Sequence, residues 1–212
     1  MSDVEVVEGK AVTLSFDGKR CIHARQCVLT LPGVFKANVE GPWIDPDAAT
    51  PDALMAVAHN CPSGAINVVR KDGGAQEAAP PINLAQLREN GPIGLRADIR
   101  INGEPIGVRA TLCRCGASKT KPYCDGSHHD VNFTATGEPP TKDSQPLAVR
   151  GGPLAVTPIK DGPLMVEGPL EICAGTGRTV DRVEKAWLCR CGASKNKPYC
   201  DGSHKAAGFT AP

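Results

Sequence analysis

The sequence predicts an α+β chain: one small mixed module, then two β-rich modules, each with a short helix after a cysteine-bearing loop. Three observations carry this. Glycine and proline number 23 and 19 in 212 residues, against roughly 12% in an average chain, so turns and loops are abundant. Only 4 Phe, 2 Trp and 2 Tyr are available, so any core buries little area per side chain and small modules need a staple. Finally, 10 cysteines occur, and their spacing repeats.

The elements follow in chain order. Val12, Leu14 and Phe16 alternate as a strand, and Asp17-Gly18 opens a loop. Thr50 reads as an N-cap with Pro51 at the first helical position, predicting a helix to about Asn60. Ala65 to Arg70 reads as a closing strand. Residues 71–81 carry no apolar period and end in Pro80-Pro81, which reads as a linker. Leu95, Ala97, Ile99 and Ile101 then alternate with Arg96, Asp98 and Arg100. Asn102-Gly103 is a strong hairpin turn, and Val108, Ala110 and Leu112 lead into Cys113. A similar pair lies around Leu164–Ile172 and Val183–Leu188, with a longer Gly-rich connection. Thr136 to Pro146 is a second soft stretch. The domains expected are 1–70, 82–136 and 146–212, with 71–81 as linker.

Residues 112–128, LCRCGASKTKPYCDGSH, recur at 188–204 as LCRCGASKNKPYCDGSH. Only Thr120 against Asn196 differs, and Phe133 and Phe209 keep the same offset of 76. Such identity within one chain marks a duplication. The flanks differ widely, so the constraint belongs to a site rather than to a packing face. Each copy carries Cys-x-Cys-x8-Cys-x3-His. The candidate ligands are Cys113, Cys115, Cys124 and His128, then Cys189, Cys191, Cys200 and His204. Pro122 and Pro198 are expected to hold the chain extended before the third cysteine. Asp-Gly-Ser is expected to turn it into a short helix, with the third Cys and the His on one face of its first turn and N–H groups aimed at the thiolates. On donor type alone, a structural Cys3His zinc and a [2Fe–2S] cluster both fit, although Cys-x-Cys is tighter than the usual zinc knuckle.

The run Cys-Arg-Cys-Gly-Ala-Ser-Lys-x-Lys-Pro-Tyr-Cys-Asp-Gly-Ser-His resembles the CDGSH iron–sulfur domain of the NEET-type family, twice, over about residues 92–210. The resemblance implies one [2Fe–2S] cluster per motif, held by three cysteines and one histidine. Single-motif relatives form homodimers, so a tandem chain is expected to build that pair internally and act as a monomer. Cys21-x5-Cys27, with Ala24 between, and a distant Cys61-Pro62 resemble a divergent single-cluster ferredoxin. This resemblance implies a [3Fe–4S] or [4Fe–4S] cluster at Cys21, Cys27 and Cys61; a fourth iron would need His23, water or an outside ligand. The plainer alternative is three buried thiols.

Several residues are set aside. His129 has Lys205 at its counterpart and is expected in solvent; His59 is read as a surface or core histidine, and Cys173 as a buried thiol. Arg114, Lys119, Arg190 and Lys195 are expected to be mostly solvated, with at most a tuning role. Trp43 and Trp187 are expected to pack. A net charge of +1 gives no electrostatic case for nucleic acid or an anionic membrane, and no apolar run approaches a span. The acidic start lacks the marks of a targeting segment or anchor, so the expectation is a cytoplasmic chain, where thiols stay reduced. No phosphate loop or nucleophile elbow occurs, and no enzyme activity is expected. Three functions remain: electron transfer among redox partners, [2Fe–2S] delivery to apo-acceptors or redox/pH sensing, and a zinc-stapled interaction module.

Overall fold

A computed structural model describes residues 4–212, which divide into two compact units at residue 78/79. That boundary falls inside the stretch read as a linker. The fold is mixed α and β, with strands dominant.

The N-terminal unit is built on a three-stranded antiparallel sheet in the order β1-β2-β3, formed by β1 (Val4–Glu8), β2 (Val12–Asp17) and β3 (Ile66–Arg70). Leu14 pairs with Val7 on one side and Val68 on the other. Strand β1 was not expected: Val-Glu-Val-Val-Glu has no one-sided alternation, and pairing with β2 makes it a strand. A short helix α1 (Gln26–Thr30) and a longer helix α2 (Pro51–Asn60) cover the sheet. Thr50 Oγ1 accepts from Ala53 N–H at 3.3 Å, and Pro51 opens α2 as expected. Leu54, Val57 and Ala58 of α2 bury against Val12, Leu14, Ile66 and Val68.

The second unit holds both duplicated segments on one six-stranded sheet. Strands β5 (Ile93–Ile101) and β6 (Glu104–Leu112) form the first hairpin. Its turn places Asn102 at φ 52° and Gly103 at φ 87°. Both signs are what a two-residue turn needs to match strand twist, which explains the Asn-Gly pair. Strands β8 (Leu164–Cys173) and β9 (Thr179–Leu188) form the second hairpin.

Two shorter strands, which no pattern in the sequence announced, join the hairpins. Strand β4 (Leu84–Leu87) pairs antiparallel with β5 and parallel with β8. Strand β7 (Pro153–Pro158) does the reverse, pairing antiparallel with β8 and parallel with β5. Leu87 faces Ile93 as Pro158 faces Leu164, and Ile93 faces Leu112 as Leu164 faces Leu188. The duplication therefore includes the lead strand, and each lead strand bridges both hairpins. Ile93, Leu95, Ile99, Leu112, Leu154, Leu164, Leu170 and Leu188 form one continuous core. Each fully buried aliphatic side chain contributes about 1.5–3 kcal/mol, and the two copies share that burial.

The short helix expected after each cysteine loop forms only in the second copy, as α3 (Ser203–Ala206). The first copy makes turns there. Both copies close one helical turn, through Val131 N–H to Ser127 O at 3.2 Å and Ala207 N–H to Ser203 O at 3.0 Å. Lys205-Ala206-Ala207 favours continuing it, whereas His129-Asp130-Val131-Asn132 combines weak helix formers.

Candidate metal centres

Strand ends position the first two cysteines of each loop. β6 runs into Cys113 and β9 into Cys189. The chain then turns back, so that Cys113 N–H donates to Pro122 O at 2.9 Å and Cys124 N–H to Thr111 O at 2.9 Å. The second copy repeats this: Cys189 N–H to Pro198 O at 2.8 Å, and Cys200 N–H to Trp187 O at 2.8 Å. The bonds preceding Pro122 and Pro198 are both cis. Ser118 Oγ donates to Tyr123 O and Ser194 Oγ to Tyr199 O, each at 2.6 Å. Asp125 accepts from Lys119 N–H at 2.7 Å and Ser127 N–H at 3.0 Å; Asp201 accepts from Lys195 N–H at 2.8 Å and Ser203 N–H at 3.0 Å. The side-chain contacts account for the identity of Ser and Asp between the copies.

The predicted ligands come together in pairs. Cys113 Sγ lies 3.8 Å from Cys115 Sγ, and Cys124 Sγ 3.5 Å from His128 Nδ1. In the second copy the separations are 3.6 Å for Cys189 with Cys191 and 3.3 Å for Cys200 with His204 Nδ1. Metal–sulfur bonds of about 2.3 Å and metal–nitrogen bonds of about 2.0 Å, at a tetrahedral angle, put two thiolates about 3.8 Å apart and a thiolate and imidazole nitrogen about 3.5 Å apart. Each pair is thus one tetrahedral edge. Among the described residues, no three His, Cys, Asp or Glu side chains gather as for a single ion.

The third Cys and the His do not share a helical face, as the spacing suggested. Cys124 and Cys200 sit in extended chain beside β6 and β9, and Cys200 lies outside α3. Turn N–H groups still reach the sulfurs: Ala117 to Cys115 at 3.4 Å, Gly126 to Cys124 at 3.5 Å, Ala193 to Cys191 at 3.4 Å and Gly202 to Cys200 at 3.4 Å. Such donors favour thiolate over thiol. Without a metal, Cys113 and Cys115 share a proton: the hydrogen bond from Cys115 pulls Cys113 down to about 6, and the same contact pushes Cys115 up. Burial raises Cys124 to about 11 and lowers His128. Binding of metal must displace the thiol protons that remain.

Two residues in these loops were misjudged in sequence. Arg114 and Arg190 are each only 1% exposed, not solvated. They stand between two cysteines in strand-like chain. Alternation sends the two thiols to one side and the guanidinium to the other, into the module. The doublet of identical Cys-Arg-Cys runs carried that signal. Lys119 and Lys195 are exposed, as expected. Trp187 is 48% exposed rather than packed: Ala186 and Leu188 face the core, so 187 must face out. Cys173 is buried; His59 is exposed beside Glu77 at 3.4 Å. His129 is exposed, and its ring lies 4.0 Å from that of His128.

The N-terminal unit gathers Cys21, Cys27 and Cys61 around a cavity of about 310 Å³. Phe16, Ile22, Ala24, Val28, Trp43 and Ile66 make its wall apolar. Cys21 and Cys27 come from the loop and α1, and Cys61 from the C-terminal cap of α2. Burial raises both Cys21 and Cys27, and each thiol feels the charge of Cys61. His23 N–H donates to Cys21 Sγ at 3.4 Å. His23 itself is exposed, and Trp43 packs edge-on against Phe16 at 4.9 Å. Three soft donors around an apolar hollow fit a multi-iron cluster, which needs thiolates spread around its volume.

Three cysteine-bearing sites with N–H donors aimed at sulfur have the donor chemistry of metal-cluster sites. Comparison with known families gives the class its name. The family described as "Iron-binding zinc finger CDGSH type" matches residues 90–129 and 161–205. The family described as "Divergent 4Fe-4S mono-cluster" matches residues 7–71. Two segments matching the CDGSH type thus follow one matching the divergent 4Fe-4S type, and these matches indicate iron–sulfur binding. Curated relatives include the CDGSH iron-sulfur domain-containing protein 2 homologs of Drosophila sechellia and Drosophila simulans. Each is 43% identical over 47 residues, covering 22% of this chain and 33% of the relative. The match thus spans about a third of the length of those relatives. No helix among the described residues is long and apolar enough to cross a membrane.

Proposed function

We propose that the chain is a one-electron carrier with two [2Fe–2S] clusters and a third centre of [3Fe–4S] or [4Fe–4S] type. Cys113, Cys115, Cys124 and His128 would hold the first cluster, Cys189, Cys191, Cys200 and His204 the second, and Cys21, Cys27 and Cys61 the third. The observation that carries the reading is the pairing of donors. A single zinc wants four ligands at the corners of one tetrahedron; a two-iron core wants two edges, one per iron, and two edges are what each loop offers. When bound, such clusters supply reversible one-electron chemistry. The protein's own part is to donate hydrogen bonds to the sulfurs, limit water and hold each histidine by Nδ1 with Nε2 left free.

Three centres in one small chain suit a relay between redox proteins, with the two duplicated modules as an internal counterpart of a dimer and the chain a monomer. Neither nucleic acid nor membrane is a partner in this reading, and the chain transfers electrons without converting a substrate. A second reading, delivery of [2Fe–2S] to apo-acceptors or pH sensing, is favoured by the half-exposed His128 and His204, since a solvent-reachable imidazole is the ligand acid can remove.

Anaerobic purification with iron and sulfide analysis tests the reading. About 7 or 8 irons per chain are expected from three filled centres. About 4 irons would leave the N-terminal cavity without a cluster, and a colourless protein with two zincs would overturn the proposal. Incubation with an apo-ferredoxin separates the two readings: rapid cluster transfer favours the carrier.

A further inference from the structure

The soft stretch from Thr136 to Pro146 connects the two duplicated modules, and it is tied down at both ends. Its start belongs to the first module: Arg114 donates to Thr136 O at 3.0 Å, and Gly137 N–H to Glu89 at 2.5 Å. Its middle lies along the second hairpin. Gly175 N–H donates to Gly137 O at 2.8 Å, Thr176 N–H to Glu138 at 2.8 Å, and Lys142 N–H to Val180 O at 2.8 Å. Arg178 donates to Pro139 O at 3.1 Å and to Thr141 Oγ1. Pro139 and Pro140 have no N–H to give, so side chains of the hairpin supply the donors there.

Lys142 then reaches the second cysteine loop. Its Nζ lies 3.6 Å from the centre of the Tyr199 ring and 3.5 Å from Asp181 Oδ2. Tyr199 OH donates to that same oxygen, and Asp181 Oδ1 accepts from Arg182 N–H at 2.8 Å. Asp181 is only 7% exposed, so its carboxylate needs both the donors and the cation. Between connector and loop lies a cavity of about 150 Å³, which Lys142, Asp181 and Tyr199 line together with Lys197. The Lys197 ammonium is turned to Ser194 O at 2.5 Å, and Glu138 pairs with Arg178 at 3.4 Å. Tyr199 carries these contacts to the site. It precedes Cys200, its carbonyl accepts from Ser194 Oγ at 2.6 Å, and it pairs with Leu188, which precedes Cys189. The first copy has the same main-chain contacts at Tyr123 and Leu112. At the offset of 76, however, the place of Asp181 is taken by Pro105, which has no carboxylate to offer.

We propose that Lys142 and Asp181 are positioning residues that latch the second cysteine loop through Tyr199, so that this loop opens less readily than the first and keeps its metal centre longer. The two loops, alike in donors, then differ in duty: the first is suited to giving up a centre and the second to retaining one. When a loop lets go, its three thiolates and its imidazole take protons from water as their bonds to iron break, and no electron moves. A latch on Tyr199 slows that exchange by holding the chain around the donors, without touching iron. Local opening is set by the contacts that must break first, and the second loop has one more set of them.

Retention of a centre rests on the two-cluster reading, whereas the opening of the loops does not, and two measurements on the full chain keep these apart. Amide hydrogen exchange, read by mass spectrometry on anaerobically purified protein, compares peptides from 112–128 and 188–204. Their sequences differ at one residue, so a difference in protection reads the difference in opening. In the wild type the second loop is expected to exchange about tenfold more slowly, as one hydrogen bond to a charged group allows. Lys142→Met, Asp181→Asn and Tyr199→Phe should each remove most of that difference and leave the first loop as it was. Lys142→Arg, which keeps the cation, should retain it. Lys142→Met combined with Tyr199→Phe should add little to either alone, as for members of one network. Iron release to a chelator, followed on the same samples, should quicken in its slow part only. If Asp181→Asn does not fold, Tyr199→Phe, which keeps the packing of the ring, carries the test. Equal protection of the two wild-type loops, a loss of protection in both alike, Lys142→Arg behaving as Lys142→Met, or iron release unmoved by the variants would each overturn the latch. Protein without iron would sink the two-cluster reading, and the exchange rates would still decide whether the second loop is latched.

Discussion

The two units hold their thiols in opposite ways. In the duplicated unit the cysteines stand at the ends of long paired strands, beside a core that runs without a break through both copies. Donors there meet in close pairs, and the backbone supplies an N–H to most sulfurs. In the N-terminal unit, Cys21, Cys27 and Cys61 come from a loop, a five-residue helix and a helix cap, and they line one apolar cavity. Framework first and donors second describes the former; in the latter the donors and the framework depend on each other.

That contrast predicts the largest difference between the units. Replacing Cys21, Cys27 and Cys61 together by Ser is expected to remove the third centre's signal and the melting transition of residues 1–78, since cluster binding is folding free energy in a module this small. The duplicated unit divides from it at 78/79 and is expected to keep both of its spectra and its own transition. EPR and calorimetry on the one variant read both halves. Unchanged EPR and melting would show that the three cysteines only pack.

A smaller effect is expected where the two copies press on each other. Gly116 adopts φ +84°, and a Cβ there would meet Cys191 O at 2.6 Å; Gly192, at φ +82°, would meet Cys115 O at 2.6 Å. Gly116→Ala adds left-handed strain to a backbone collision, about 2–5 kcal/mol in all. Gly126 has φ +92° but open space around it, so Gly126→Ala should cost only the strain, about 1–2 kcal/mol. Thermal melting of the two variants compares them. Equal losses would mean that the loops are not in contact across the junction.

Local chemistry made much of this legible in the sequence, and long-range pairing made the rest illegible. Asn102-Gly103, Thr50-Pro51 and the alternation of Leu95 to Ile101 each specify their own element through backbone preference, and all three hold. Strands β4 and β7 escape because four to six residues with ordinary composition become strands only by filling the gap between two hairpins. The missing helix after Cys124 shows the reverse case, in which the identical Asp-Gly-Ser starts the same turn and the residues beyond it decide whether it continues. The close pairing of Cys113 with Cys115 and of Cys124 with His128 brings together residues that the spacing had singled out. The direction of Arg114 and Arg190 was readable too, from strand alternation, but the general rule that arginines stay in water pointed the wrong way.

The smallest expected effect concerns His129, the one candidate donor that the first copy has and the second lacks. Its ring stacks on that of His128 at 4.0 Å and 38°, yet it is His128 Nδ1 that lies 3.5 Å from Cys124 Sγ, as His204 Nδ1 lies 3.3 Å from Cys200 Sγ. If the copies ligate alike, His129→Lys merely gives the first loop the residue that the second already has. His129 is exposed, so stability should change by no more than about 0.5 kcal/mol, and the iron count should stay at the wild-type value. His128→Ala, by contrast, leaves Cys124 without its partner and should cost the first loop its cluster. A loss of iron in His129→Lys equal to that in His128→Ala would make the first loop a different site from the second, with the neighbouring imidazole as ligand or as an obligatory support for it.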